Sequence, residues 1–311
     1  MKTKYPIKKE YFPFNKFTAP KGKRTILLAQ KHMKTPKVLY KDKDLVVENK
    51  IIDGYKEEKI EINIISPKCD KEILPCILFV HGGGFVYEGF SSHYRLAMIY
   101  AKRCRARVIY VKYKLAPNYP FPYQQYECYN VYKYIFDHSD ELKIDKTKIA
   151  LTGDSAGAFL CVSPMLIAHE EGKDYRPLCQ VLVYPWLDNR NDSESNKKYT
   201  DTPMWNSTLS KNAGNLTNPN NIKFPPHLIS PVEYHDLSFL PQAHIEVAEF
   251  DCLHDDGVLF SNLLKENNIE VEFYEVKGTM HGYDTKLKAP TTAEMVEKRI
   301  NYLNRKFNNI D

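Results

Sequence analysis

The sequence has no long hydrophobic runs, no paired cysteines and no apolar leader. No apolar run approaches the roughly 18–20 residues that span a bilayer, so we expect no stable membrane anchoring. The seven cysteines include no C-x-x-C pair, and several stand among apolar neighbours, which is typical of reduced, buried thiols. The first residues are basic, but no long apolar segment follows them, so no secretory signal is expected. Together these absences favour a cytoplasmic location.

Cofactor and nucleic-acid motifs are missing as well. Neither a Walker A motif nor G-x-G-x-x-G occurs, and neither H-E-x-x-H nor an EF-hand loop is present. His81, His93 and His254 lack paired spacing with Cys or Asp, so the sequence predicts no metal and no cofactor. Residues 1–50 carry a net charge of +10 and the remainder carries −5, but the lysines are dispersed among Pro, Phe and Tyr. We therefore expect a solvated basic face and no nucleic-acid partner.

The order of strand and helix patterns indicates an α/β protein. Short apolar runs at 73–80, 107–111, 179–185, 243–248 and 271–276 suit strands buried on both faces, and helical patterns stand between them. Alternating residues at 45–67 predict a hairpin or meander at a sheet edge. This alternation predicts a mostly parallel central sheet with helices on both faces. We also expect a cis peptide bond at Phe121–Pro122, because an aromatic residue before Pro raises the cis population.

Two segments lack this alternation of strands and helices, and they define the predicted domain organisation. Residues 1–46 are rich in Pro and Lys, with one helix-like stretch at about 25–32, and are interpreted as an N-terminal arm or cap segment. Residues 47–311 form the main domain. Within it, residues 187–229 are polar and too long for a plain loop, so we interpret them as a cap insertion that is poor in helix.

The pentapeptide at 153–157, Gly-Asp-Ser-Ala-Gly, follows an apolar run and precedes a helical pattern. This G-x-S-x-G pattern predicts a nucleophile elbow with the hydroxyl of Ser155 exposed at its tip. A Gly-rich turn with an ordinary surface serine is the alternative. The helix that begins beside Ser155 would aim free N–H groups, that of Ala156 first, at charge developing near Oγ.

The other parts of a serine hydrolase site each have a candidate after a strand. His281 lies in a Gly-flanked loop after the last strand and is the candidate base. Asp251, 30 residues earlier, is the candidate carboxylate, with Asp255 and Asp256 as competitors that also suit the first turn of a helix. The glycines at 82–84 follow a buried strand, and we expect the N–H groups of Gly83 and Gly84 to join Ala156 in an oxyanion hole. His81 is expected to shape this loop.

Taken jointly, these motifs resemble the hormone-sensitive-lipase-like family of α/β-hydrolases, which are mostly bacterial carboxylesterases. The resemblance covers about residues 45–308 and rests on segments 81–85, 113–117, 153–157, 248–251 with 256–257, and 280–282. It implies the α/β-hydrolase fold, the triad Ser155, Asp251 and His281, and a small cap built from the N-terminal segment and an insertion after the sixth strand. Ala158 and Phe159 replace the family's usual Gly and Asn, and this bulk would narrow the acyl side of the pocket.

The sequence thus predicts a serine carboxylesterase that acts on small-molecule esters with short acyl chains, acetyl to hexanoyl. Predicted pocket walls are Phe85, Tyr87, Phe159 and Trp205. An amidase or deacetylase with the same triad is one alternative. A non-catalytic ligand-binding relative is another, although such relatives have lost the catalytic histidine and this chain keeps His281. A homodimer is left open.

Overall fold

The computed structural model describes residues 4–12, 14–20, 22–33, 41–68 and 72–309. In this part of the chain, eight strands form one sheet in the order β1-β2-β4-β3-β5-β6-β7-β8. Strands β1 and β2 and strands β2 and β4 pair antiparallel, and all other neighbours are parallel. The strand bounds are β1 Leu45–Asp53, β2 Lys59–Pro67, β3 Leu74–Val80, β4 Arg107–Lys112, β5 Ile144–Asp154, β6 Cys179–Val183, β7 Gln242–Phe250 and β8 Val271–Met280.

Helices cover both faces of the sheet, which confirms the predicted α/β-hydrolase architecture. Alternate strand residues face opposite layers, because successive side chains of a strand point to opposite sides. Leu78 and Val80 pack in one buried cluster with helices α3, α4 and α8, whereas Ile77 and Phe79 pack in the other with α2 and α9. The helix bounds are α1 Lys23–His32, α2 Ser91–Arg103, α3 Tyr123–Asp137, α4 Ala156–Glu170, α5 Glu194–Lys198, α6 Ser207–Thr217, α7 Pro226–Ile229, α8 His254–Glu266 and α9 Pro290–Phe307.

The polar segment at 187–229 contains α5, α6 and α7, so the expectation that it is poor in helix is wrong. Its polar residues act as helix caps: Ser193 accepts a hydrogen bond from the N–H of Asn196, and Asn206 accepts one from the N–H of Leu209. The polar residues that suggested a loop therefore include the capping residues of two short helices.

The N-terminal segment runs across this insertion. The N–H of Met204 donates to the carbonyl of Phe17 (2.6 Å), and the N–H of Ala19 donates to the carbonyl of Met204 (3.3 Å). Parts of the predicted arm, residues 1–3, 13, 21 and 34–40, lie outside the described residues. Elsewhere, the peptide bond at Phe121–Pro122 is cis as predicted, and Ala116–Pro117 is cis as well. None of the helices in the described stretches is long and apolar enough to cross a membrane.

Candidate active site

The turn between β5 and α4 has the geometry of a nucleophile elbow. Ser155 stands between the two elements with φ 55° and ψ −123°, a backbone conformation that is unfavourable for a residue with a side chain. A Cβ on Gly153 would lie 2.5 Å from the backbone of Gly157, and a Cβ on Gly157 would lie 2.1 Å from the carbonyl oxygen of Val80. The two glycines are therefore required by the close approach of the elbow to the neighbouring backbone.

Ser155, His281 and Asp251 meet at the carboxyl edge of the sheet. The Nε2 atom of His281 lies 2.9 Å from Oγ of Ser155, and its Nδ1 atom lies 2.7 Å from Oδ2 of Asp251. The other carboxylate oxygen, Oδ1, accepts a hydrogen bond from the N–H of Leu253 (2.9 Å). Because the three residues directly follow β5, β7 and β8, parallel strand packing brings together side chains that are 96 and 30 residues apart in the chain.

The loop after β3 is shaped for close approach to this site. Gly83 and Gly84 both have positive φ, 122° and 60°, and a Cβ on Gly84 would lie 2.3 Å from the indole of Trp205. The carbonyl of Gly83 accepts a hydrogen bond from the N–H of Tyr87 (2.9 Å), which closes the loop. Within the described residues, the N–H groups of Gly83, Gly84 and Ala156 have no protein acceptor. Three backbone donors are thus available beside Ser155.

His81 is packed inside this loop. Its ring stacks on that of Tyr113 at 4.4 Å, its Nδ1 lies 2.6 Å from the carbonyl of Gly82, and the phenol of Tyr113 donates to the carbonyl of His81 (2.8 Å). Complete burial lowers the pKa of His81 to about 3, so the ring is neutral at physiological pH. These contacts fit a structural residue rather than a base.

Sequence reasoning missed the partners of Asp154. Its Oδ1 accepts from the N–H of Gly82 (3.1 Å), and its Oδ2 lies 3.1 Å from Nε2 of His93, whose Nδ1 accepts from the N–H of Phe90 (2.8 Å). Burial opposes ionisation of Asp154, but the charge and hydrogen bonds of His93 and the Gly82 N–H outweigh it and lower the pKa of this carboxyl. His93 and Asp154 are 61 positions apart, so no sequence motif links them. The sequence feature that could have drawn attention to them is the carboxylate of Asp154 inside the elbow pentapeptide.

The cavity at Ser155 is small and mainly apolar. Its volume is about 70 Å³, and Tyr87 and Trp205 line it together with Met204, Phe17 and Phe90. The indole of Trp205 is fixed by a hydrogen bond from its Nε1 to Oγ of Ser210 (2.8 Å). The two phenylalanines stand at the mouth, where they are 52% and 40% exposed.

The other two predicted walls do not reach this cavity. Phe85 and Phe159 are completely buried and pack edge to face at 5.5 Å, behind the lining residues. Phe85 has a φ of 63°, and its ring also packs against Phe121 and Trp186. Both residues thus support the loop and the elbow from the core.

Two other features bear on binding. A larger cavity of about 320 Å³ lies beside β1, β2 and the start of β4, with Lys50, Ile64 and Arg107 among its walls, and includes no residue of the Ser155 site. Across the residues that the structure describes, no group of three His, Cys, Asp or Glu side chains could hold a metal ion.

Comparisons with known proteins agree with this fold. A family model described as "alpha/beta hydrolase fold" matches residues 77–285. An arylesterase of Saccharolobus solfataricus is 31% identical over 73% of this chain and 73% of its own, and the carboxylesterase NlhH of Mycobacterium tuberculosis is 29% identical over 93% and 91%. The solved structure of a bacterial heroin esterase is 25% identical, covers 87% of each chain and has a TM-score of 0.79. The chain therefore belongs to the hormone-sensitive-lipase-like family of α/β-hydrolases.

Proposed function

We propose that this protein is a serine carboxylesterase for small esters with short acyl chains. The observation that carries the proposal is the unbroken hydrogen-bonded series from Ser155 through His281 to Asp251, at 2.9 and 2.7 Å, with the serine on a strained elbow. A serine hydroxyl is a weak nucleophile until a positioned base removes its proton, and this series supplies the base and the group that orients it. The esterase relatives support the same reaction.

In the proposed reaction, Oγ of Ser155 attacks the ester carbonyl while Nε2 of His281 takes the hydroxyl proton. Asp251 accepts a hydrogen bond from the Nδ1–H of the imidazole, which holds the ring in the tautomer with an unprotonated Nε2 and stabilises the imidazolium. The imidazolium then gives its proton to the leaving alcohol, and the acyl-enzyme remains. Water, activated by the same imidazole, releases the acid and restores the serine.

The negative charge on the carbonyl oxygen is stabilised by the three free backbone donors. The N–H groups of Gly83, Gly84 and Ala156 are held by the loop and the start of α4, so no reorganisation is needed when charge develops. The side chain of a larger residue at position 84 would overlap the indole of Trp205. Loss of one such donor typically costs about 3–4 kcal/mol in the barrier.

The cavity supports a short acyl chain. A volume of about 70 Å³ is small for a ligand pocket, since pockets for drug-sized ligands measure about 300–1,000 Å³. The proposed range is therefore acetyl to about hexanoyl, and the mainly apolar walls suit an uncharged chain. A series of p-nitrophenyl esters from acetyl to dodecanoyl tests this limit, and a kcat/KM that keeps rising beyond about ten carbons would contradict it.

The catalytic assignment is tested by Ser155→Ala, with Ser163→Ala as the control. Ser163 lies on α4, the helix that follows Ser155, and is buried. Its hydroxyl donates to the carbonyl of His227 (2.6 Å) and not to the imidazole of His281. Hydrolysis of p-nitrophenyl acetate should fall by roughly 10⁵–10⁶-fold in the first variant, as when a triad serine is removed elsewhere, and should persist in the control. A fluorophosphonate probe should label wild type and the control only. Turnover retained by the Ser155→Ala variant would refute the assignment.

The same assay distinguishes reaction classes. An amidase or deacetylase would use the same three residues, so acetanilides and acetylated sugars are measured beside the nitrophenyl esters. We expect the ester to be preferred, because the lining of the cavity is mainly apolar and offers few groups to hold a sugar. A higher kcat/KM on the anilide or the sugar would reassign the substrate while leaving the triad in place.

A further inference from the structure

A buried group of charged and phenolic side chains lies behind the histidine loop. Arg299 of α9 is completely buried, and its guanidinium donates to both carboxylate oxygens of Glu246 on β7, at 2.8 and 2.6 Å. It also donates to Oδ2 of Asp284 (2.8 Å) and to the phenol oxygen of Tyr283 (3.0 Å). A single arginine thus joins the last helix, the strand next to the edge of the sheet and the segment that follows His281.

This group reaches the imidazole through Tyr184. The phenol of Tyr184 donates to Oδ1 of Asp284, and its ring lies 4.6 Å from the ring of His281. Tyr184 also lines the cavity at Ser155. On the segment after His281, the phenol of Tyr283 donates to Glu246. Two consecutive residues, two and three positions after His281, are therefore tied to the buried guanidinium.

The charged side chains of the group face partners of opposite sign. Burial opposes ionisation of Glu246, but the charge and hydrogen bonds of Arg299, with a hydrogen bond from His244, lower its pKa to about 2. Burial also opposes protonation of His244, yet its hydrogen bond to Glu246 and the carboxylate of Glu272, which lies 3.9 Å from its Nδ1, raise its pKa. Glu246 thus faces both the guanidinium and this imidazole, whereas Asp284 faces the guanidinium and the phenol of Tyr184.

Stability alone is a poor reason for such a group. Buried ion pairs lose so much hydration that apolar side chains of similar volume often stabilise a fold as well or better. A buried ion pair, unlike apolar packing, fixes the orientation of its members, because the planar guanidinium holds carboxylates in bidentate geometry. Here the carboxylate at 284 belongs to the loop whose conformation sets the catalytic imidazole.

We propose that Arg299 is a positioning residue for His281, acting through Asp284 and the ring of Tyr184. This inference rests on the proposed esterase function. His281 must keep hydrogen bonds to two different residues at once, so a small shift of its loop lengthens at least one of them. Displacements near 1 Å in catalytic sites can cost about 100-fold in rate. Arg299 holds the loop against such a shift without touching the substrate.

The first experiment compares Arg299→Met and Arg299→Lys with Arg305→Met. Arg305 lies on the same helix and pairs with Glu272 at the partly exposed edge of the sheet. Its change is matched in chemistry, but among the described residues it pairs with neither Asp284 nor Tyr283 of the histidine loop. We expect kcat on p-nitrophenyl acetate to fall roughly 10–100-fold in Arg299→Met, with KM within about twofold of wild type. Arg299→Lys should recover part of the loss, and Arg305→Met should match wild type.

The second experiment avoids leaving buried carboxylates without a partner. Tyr184→Phe removes only the phenol that donates to Asp284. Its control is Tyr302→Phe, because the buried phenol of Tyr302 has no hydrogen-bond partner among the residues that the structure describes. The rate of Ser155 labelling by a fluorophosphonate, normalised to folded protein by circular dichroism, should fall several-fold in Tyr184→Phe and stay unchanged in the control.

The outcomes separate the two proposals. If wild type shows no hydrolysis that depends on Ser155, the proposed function fails. If wild type hydrolyses esters through Ser155, and both folded Arg299→Met and Tyr184→Phe keep wild-type kcat and labelling rates, the positioning role alone is overturned. A loss in Arg299→Met that appears in KM and not in kcat, or that equals the loss in Arg305→Met, also overturns it. If Arg299→Met does not fold, Tyr184→Phe decides.

Discussion

Replacing Asp251 by Asn tests how the carboxylate sets the tautomer of the imidazole of His281, the proposed base. The two carboxylate oxygens of Asp251 accept different hydrogen bonds: Oδ2 lies 2.7 Å from Nδ1 of His281, and Oδ1 accepts from the N–H of Leu253 at 2.9 Å. An asparagine has only one acceptor oxygen. If that oxygen stays on the Leu253 N–H, the amide NH₂ faces Nδ1 and donates to it. The imidazole must then carry its proton on Nε2, where it can no longer accept the proton of Ser155.

The size of the effect follows from the alternative orientation of the amide. If the amide of the Asp251→Asn variant flips, its oxygen accepts a hydrogen bond from the Nδ1–H of His281, but its NH₂ then faces the N–H of Leu253, so that two buried donors lack partners. Each unpaired buried donor costs about 1–3 kcal/mol, so the productive form lies roughly 2–6 kcal/mol above the unproductive one. At about 1.36 kcal/mol per tenfold, kcat/KM should fall by at least about 30-fold and by up to about 10⁴-fold.

The assay is hydrolysis of p-nitrophenyl acetate by Asp251→Asn and by Asp255→Asn as the control. Asp255 accepts from the N–H of Ser195 (2.8 Å) and pairs with His254, so the same chemical change there leaves the imidazole at 281 untouched. The control should keep kcat/KM within about twofold. A loss of less than about tenfold in Asp251→Asn, with the fold intact by circular dichroism, would contradict the reasoning.

Three further outcomes are expected. Trp205→Ala should open the cavity and move the optimum of the nitrophenyl ester series to longer chains, while lowering the free energy of unfolding in urea by about 3–5 kcal/mol. His93→Gln should loosen the Asp154–Gly82 contact and lower kcat about tenfold, whereas the exposed His138→Gln should not change it. Burial, and after it the charge of Asp188, raises the pKa of Asp256 well above its ordinary value. The protonated side chain therefore costs the fold no stability below about pH 4, and the free energy of unfolding decreases as the pH rises and this carboxyl ionises. Asp256→Asn should therefore raise the urea midpoint more at about pH 8 than at about pH 4.

Most of the sheet could be predicted because its strands are buried on both faces. Such strands are continuous apolar runs, as at Leu74–Val80 and Cys179–Val183, and glycines or prolines mark several of their ends. The antiparallel pair at the edge was recognisable from alternating residues, since the buried Ile60, Ile62 and Ile64 of β2 alternate with polar residues. The helices at 194–198 and 207–217 were missed because they are short and polar, and their main signal is a capping residue that also suits a turn. The helix at 226–229 was missed because it is only four residues long.

The grouping of Ser155, Asp251 and His281 was predictable for a different reason. Each of its residues directly follows a strand, and parallel packing brings those strand ends to one edge of the sheet. The pocket walls were less predictable, because a side chain's direction in a loop depends on backbone angles. The φ of 63° at Phe85 places its ring among Phe121, Phe159 and Trp186 in the core, not in the cavity. The Arg299 group was not foreseeable, since its members come from β7, α9 and the turn after His281 and form no sequence motif.

Three acids close together in the chain show how local geometry assigns different roles to one residue type. Asp251 directly follows β7, and its side chain faces the imidazole. Asp255 and Asp256 lie in the first turn of α8, where the helix dipole favours acidic side chains. Both side chains contact the insertion at 187–229 and not the imidazole of His281. Asp255 accepts from the N–H of Ser195, and Asp256 accepts from the N–H groups of Leu187 and Asp188, at 3.0 Å each. One acid therefore contacts the imidazole of the proposed base, while the other two hold the start of the segment that carries Trp205 to the cavity.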